Sequence, residues 1–229
     1  MHKFGGNTVG TAYTGLSQHV AADAAIAWPI VADELRIKAG GNAADTAAGA
    51  GAREVTFEGL DINLNAISES VATAGASASA ATTAQFFRLQ RAWVSSCGTY
   101  SAANTAAMTI ETQAGLTQSV ISIEEGQTQR AAYTTPAGWY AMLSHFLLTP
   151  DSQKVTSFRV MHRQNAADVT VPYSSARIIS EFTNLGSELE WNPTHGTVIP
   201  PETDLWVEAK VLAATGVATA NIELILFPA

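Results

Sequence analysis

Several short patterns in this chain have the residue types of known chemistry, and each lacks a residue the chemistry needs. Gly5 and Gly10 have the spacing of a phosphate-cradling loop, but Thr11 stands where the phosphate-binding lysine must be. Gly49-Ala50-Gly51 opens like a dinucleotide fingerprint, yet Glu54 replaces the third glycine and puts negative charge where a pyrophosphate would sit. Asp61, Asn63 and Asn65 begin like a calcium loop, with Ala66 in place of the turn glycine and Ala72 in place of the bidentate carboxylate. An Asx-rich turn is the better reading of them. The histidines at 2, 19, 145, 162 and 195 and the single cysteine, Cys97, show no zinc spacing. His145 and His162 fall on consecutive expected strands and would approach each other if those strands form a hairpin, as a metal or pH-sensitive pair would require. Glu54 with Glu58, and Glu188 with Glu190, are carboxylate pairs on shared strand faces, the raw material of a glycosidase, although such pairs on open sheets usually only solubilise. Cys97 reads as a small buried hydrophobe. The expectation is a protein that is not an enzyme and carries no cofactor and no metal.

The elements that would position these residues are strands. Arg53–Leu60 alternates Val55 and Phe57 against Glu54, Thr56 and Glu58, a half-buried pattern of period two. In Gln85–Ser95 the same alternation sends Phe87, Leu89 and Trp93 inward. Further strands are expected at Glu34–Ala39, Met108–Thr112, Gln118–Ile123, Arg130–Thr134, Trp139–Thr149, Val155–Arg163, Ala176–Thr183, Ser187–Trp191, Asp204–Val211 and Asn221–Phe227. Small residues fill Val71–Ala84, where interleaved Gly, Ser and Thr favour strand-loop-strand over helix. About eleven strands without an amphipathic helix predict an all-β antiparallel sandwich or jelly roll, because so long a sheet must fold over to hide its edges.

Residues 1–32 lack any sustained period and are expected to form an extended N-terminal arm, with 33–229 as one β domain. Phe4, Tyr13, Leu16 and Trp28 would be the arm's contact residues. Trp206 alternates with Leu205, Val207 and Ala209, so it shares a face with Glu208 and Lys210 and is expected to be an exposed contact residue.

Composition narrows the function. The 229 residues include 12 basic and 20 acidic side chains, a net charge of −8, with 47% hydrophobic residues. That excludes disorder and disfavours nucleic acid as a partner, since a nucleic-acid binder needs a dense basic face. No signal peptide is expected at the N-terminus, no apolar run reaches the length of a bilayer span, and Pro193 spoils the Asn192-Pro193-Thr194 glycosylation site.

One resemblance adds to this reading. The stretch Gly51–Asn65, GAREVTFEGLDINLN, resembles a segment that recurs in structural proteins of tailed phages from aquatic bacteria. Thr82–Val94, Gly126–Gly138 and Ile199–Ala209 are similar to later segments of that family, so the likeness runs from about Asp33 to the C-terminus. It implies a virion component without an enzymatic site: a capsid decoration, or cement, subunit on the head surface, binding the major capsid protein, trimeric, and assembled in the host cytoplasm. The alternative is a fibre or tail-associated domain that binds a receptor or glycan through Trp206.

Overall fold

The computed structural model describes residues 1–192 and 196–229. His195 and the Asn-Pro-Thr site lie at or beyond the edge of the described residues. Among those described there is no helix, and therefore none long and apolar enough to cross a membrane. All named strand pairs are antiparallel.

The chain divides into two compact units where the sequence led us to expect an arm and one domain. Met1–Ala27 and Gln129–Ala229 form unit 1, and Trp28–Thr128 forms unit 2. The strands in chain order are β1 (His2–Val9), β2 (Thr14–Gly15), β3 (Asp33–Ile37), β4 (Ala52–Leu60), β5 (Ala66–Ala72), β6 (Gln85–Phe86), β7 (Arg88–Cys97), β8 (Met108–Thr112), β9 (Thr117–Ile121), β10 (Ala132–Thr134), β11 (Trp139–Thr149), β12 (Thr156–Arg163), β13 (Arg177–Leu185), β14 (Leu189–Trp191), β15 (Thr197–Ile199), β16 (Asp204–Val211) and β17 (Gly216–Pro228).

Unit 1 is built from two sheets. One has the order β1-β17-β11-β14, with β15 also on β11; the other has the order β10-β16-β12-β13, with β2 also on β16. Their inner faces share one apolar cluster that includes Leu143, Phe146 and Leu148 of β11, Phe158 and Val160 of β12, Leu205 and Val207 of β16, and Ile222 and Leu224 of β17. Each large apolar side chain so buried contributes about 1.5–3 kcal/mol. The first residues are thus no free arm. β1 pairs with β17 along its whole length, from His2 opposite Glu223 to Val9 opposite Gly216. Gly5 faces inward there, and a Cβ at that position would collide with the backbone of Ala131 and Leu16, so only glycine lets β1 dock this closely.

One strand position in unit 1 is assembled from two distant pieces. Thr14 and Gly15 lie opposite Ala209 and Glu208 of β16, while Ala132–Thr134 continue the same line opposite Trp206, Leu205 and Asp204. Between them the Leu16 amide and the Ala131 carbonyl both bond to Val207, and the Ala131 amide donates to the Leu16 carbonyl. Ser17 and Arg130 form the next bridge, so one sheet position is shared by the segments of unit 1 that precede and follow unit 2 in the chain.

Unit 2 has its own core, from Leu35 and Ile37 of β3, Val55 and Phe57 of β4, Leu89 and Ala92 of β7, Met108 and Ile110 of β8 and Ile121 of β9. Its sheets are β6-β3-β8-β9 and β5-β4-β7. Val55 and Phe57 point inward as their alternation requires. Trp93 does not: the break at Phe87 and the bulge opposite Glu58 and Gly59 shift the phase of β7, and Trp93 stands half-buried beneath Arg91, whose guanidinium carbon is 4.6 Å from the ring centre. The stretch from Val71 ends β5 at Ala72 and then runs as loop to β6, without helix.

Candidate interaction surface

The two sheets of unit 1 differ in what lies on their outer faces. Over the β16-β12-β13 sheet runs the chain's own segment Ala12–Ile26. It is fixed by the Ala12 amide donating to the Asp23 carboxylate at 2.6 Å, by the Asp23 amide donating to the Thr14 hydroxyl at 2.8 Å, and by the Gly15 amide donating to the Ala24 carbonyl at 2.9 Å. Tyr13 lies between two cations: the Arg159 guanidinium carbon is 3.9 Å and the Lys210 amine 4.5 Å from its ring centre. Its hydroxyl donates to Glu181 at 2.7 Å. Burial, and after it that hydrogen bond, push the phenol up to about 12.

Trp206 sits in this covered region. The alternation placed it correctly beside Glu208, and its indole N–H donates to that carboxylate at 2.7 Å, with Arg159 on the other carboxylate oxygen at 2.5 Å. The expectation of exposure fails: Trp206 is 6% exposed. Leu16 is likewise no surface anchor, being wholly buried in the unit 1 core. Trp28 belongs to unit 2, half-buried, with the guanidinium of the buried Arg88 at 5.2 Å from its ring centre.

The outer face of the other sheet carries apolar side chains that are partly exposed. Three rows of side chains cross it in register. One holds Val198 of β15, Met142 of β11 and Ile225 of β17, with Val198 and Ile225 each 51% exposed. Beside it Tyr140 and Phe227 are paired and stacked, 5.6 Å between ring centres. A further row runs His145, Glu223, His2, and Glu190 of β14 reaches His145 Nε2 at 3.3 Å. Phe4 is opposite Asn221 on the same face, stacked on His2 at 6.1 Å. Of the residues expected to make contacts, Phe4 alone lies on this open face, and the apolar row was missed. Its signal was present in Val217, Ile225 and Phe227, apolar residues on the outward phase of the last strand.

The remaining candidates do not converge. His145 is on β11 and His162 on β12, strands that belong to different sheets, so no hairpin joins them. Glu190 meets His145, whereas Glu188 approaches the Thr149 hydroxyl at 3.5 Å. Glu54 accepts from Ser95, and Glu58 pairs with Arg91 at 2.6 Å. The Cys97 thiol donates to the Ala102 carbonyl at 3.1 Å, and burial pushes its titration up, away from thiolate chemistry. Among the described residues no group of three or more His, Cys, Asp or Glu is arranged to hold a metal ion.

His19 gives unit 1 a pH dependence. It lies two residues past the Ser17–Arg130 bridge, its Nδ1 2.8 Å from the Ser17 hydroxyl. Burial first, and the charge of Arg130 second, push its imidazole down to about 4 from 6.5. The unfolded chain therefore binds a proton between these values that the folded chain refuses. The stability tied to neutral His19 is fully present above pH 6.5 and lost as pH falls to about 4. We expect chemical denaturation of the wild type to show that loss and His19→Gln to flatten it; equal slopes in both proteins would contradict the assignment.

No protein-family model matches this chain, and no curated protein does. Among solved structures the chain is similar to one in the structure of infectious bursal disease virus, Gx strain, at 9% identity and a TM-score of 0.26, over 98% of this chain and 71% of that one. A likeness at that score carries no argument, so the functional reading rests on the chain's own features.

Proposed function

We propose that this protein is a structural component of a virion, a capsid decoration subunit that binds the major capsid protein at the head surface and reinforces the shell. The observation that carries the reading is the build of unit 1. Its strand order, β1-β17-β11-β14 facing β10-β16-β12-β13, supports a jelly roll: with β2 and β10 counted as one position and β14 and β15 as another, the chain changes sheet at every step except β12 to β13. Fold alone does not fix function. The surface adds that Tyr13 of the chain's own N-terminal segment lies on one sheet while the other presents an apolar row across three strands, as a tile in a lattice of repeated contacts requires. The resemblance of Gly51–Asn65 and the later segments to tailed-phage structural proteins points the same way.

Quantitative mass spectrometry of purified particles tests it. A copy number on the order of hundreds is expected of a lattice tile; a handful per particle, or absence, contradicts it. The fibre reading depended on an exposed Trp206, and the burial of that ring removes its anchor.

A further inference from the structure

We propose that the outer edge of β5 in unit 2 pairs antiparallel with the same strand of a second copy of this chain, across a two-fold axis at Glu69, joining two three-stranded sheets into one. β5 stands at the end of the order β5-β4-β7 and pairs with no other strand among the described residues. Its 7 residues run beside β4 without a register shift, and it carries no Pro and no Lys, the devices that usually guard an exposed edge. The opposite edge of the same sheet is closed by the chain itself. There the Val94 amide donates to the Gly126 carbonyl at 2.8 Å, the Thr128 amide donates to the Ala92 carbonyl at 2.9 Å, and Trp93 bridges Gln127.

The hydrogen-bond phase says which groups of β5 are free to pair. At one end of the β4-β5 ladder the Asp61 amide donates to the Asn65 carbonyl, and at the other the Thr73 amide donates to the Arg53 carbonyl, both at 3.0 Å. Both bonds lie in the register of the ladder, so the bonded pairs between them fall on Ile67, Glu69 and Val71. The amides and carbonyls of Ala66, Ser68, Ser70 and Ala72 therefore turn to the open edge, and these four residues are exposed.

The sequence of the strand then selects the occupant. Ala66-Ile67-Ser68-Glu69-Ser70-Val71-Ala72 reads the same from either end, with Ile and Val interchanged. A two-fold axis at Glu69 sets Ser68 opposite Ser70 of the second copy and Ala66 opposite its Ala72. These are the residues whose backbone groups face the edge, and they give about eight hydrogen bonds between the copies. On the inner face Ile67 meets Val71 of the second copy, a β-branched pair on each side of the axis, whereas a slip of two residues would set Ile67 against Glu69. The two Glu69 carboxylates do not oppose this arrangement, because each accepts from the amides of its own Thr83 at 2.8 Å and Ala84 at 2.7 Å. An interface that uses one patch on both partners must be self-complementary in this way. With the β7 edge closed, that sheet gains one partner and no third copy.

This inference does not depend on the virion reading, since its readout is self-association of the isolated full chain. Sedimentation equilibrium should find the wild type dimeric at about 100 µM. Ser70→Pro removes an amide that unit 2 does not use in its own ladder, and it should raise the concentration for half-dimerisation at least about tenfold with an unchanged far-ultraviolet spectrum. Should Ser70→Pro fold poorly, Ser68→Lys with Ser70→Lys changes two exposed side chains and must weaken association by like charges facing across the axis. Ser68→Lys with Ser70→Glu sets opposite charges at the same two places and must recover it. A wild type that stays monomeric at that concentration overturns the proposal. So does a dimer indifferent to Ser70→Pro and to the lysine pair, and a dimer weakened equally by both charged pairs contradicts the register.

Discussion

Replacing residues 28–128 by a short Gly/Ser linker yields a folded unit 1 with a cooperative thermal transition and a β-sheet spectrum. The expectation follows from how the strand position facing β16 is assembled. Leu16 and Ala131 are hydrogen-bonded to each other and to Val207, Ser17 bridges Arg130 and the Gln18 amide donates to the Gln129 carbonyl, so one end left by excision is held in the sheet, and the segment that leads to the other is tied to it by the Gly15 amide on the Ala24 carbonyl. The core loses nothing to which its own strands contribute, because its buried cluster is drawn from β1, Leu16, Ala131 and β10 onward. A linker of a few residues adds a loop-closure cost of only about 1–2 kcal/mol relative to a direct joint, since that cost grows with the logarithm of length. Circular dichroism with a melting curve checks it. An excised protein without a cooperative transition would show that unit 1 depends on unit 2 for its fold.

The second large effect belongs to unit 2. Asp45 is 1% exposed, and its carboxylate accepts from the backbone amides of Ala52 at 2.9 Å, Thr105 at 2.9 Å and 3.0 Å, and Ala106 at 3.1 Å. One side chain thus ties the turn before β4 to the loop before β8. Asp45→Ala leaves three amides without their charged acceptor in a site closed to water, and each loss costs about 1–3 kcal/mol. We expect a destabilisation of about 3–5 kcal/mol confined to the transition that exposes Trp93, with protection of the amides on β16 and β17 unchanged in hydrogen exchange. Loss of protection in both units at once would mean that they unfold as one. A change of less than about 1 kcal/mol would mean that the carboxylate is not the organiser of those loops.

The strands that could be read from sequence were those whose partners leave a local trace. Met108–Thr112, Trp139–Thr149 and Asp204–Val211 begin and end where composition and turn residues placed them. β1 left no such trace: Gly5, Gly6 and Asn7 interrupt its alternation, since its place depends on backbone docking that only glycine allows. The strand position shared by β2 and β10 is invisible for another reason. Two and three residues are too few to show a period, and their continuity exists only through β16. That is also why a chain that reads as one domain contains two units.

The surface was legible to the extent that it depends on alternation and illegible where it depends on cover. Period two correctly joined Trp206 to Glu208, but no local pattern announces that Tyr13 and its neighbours will lie over that face. The same ignorance hid the open face. Ile225 and Val198 look like ordinary apolar strand residues until the pairing with Met142 puts them in one row, with both of them half exposed.

The central claim is a virion structural role, and a cryo-EM reconstruction of the particle that carries this chain tests it most directly. The account predicts density for a two-unit β subunit at positions repeated over the head, in contact with the shell protein. Particles whose heads lack such density, with the chain confined to the tail or missing altogether, would contradict it.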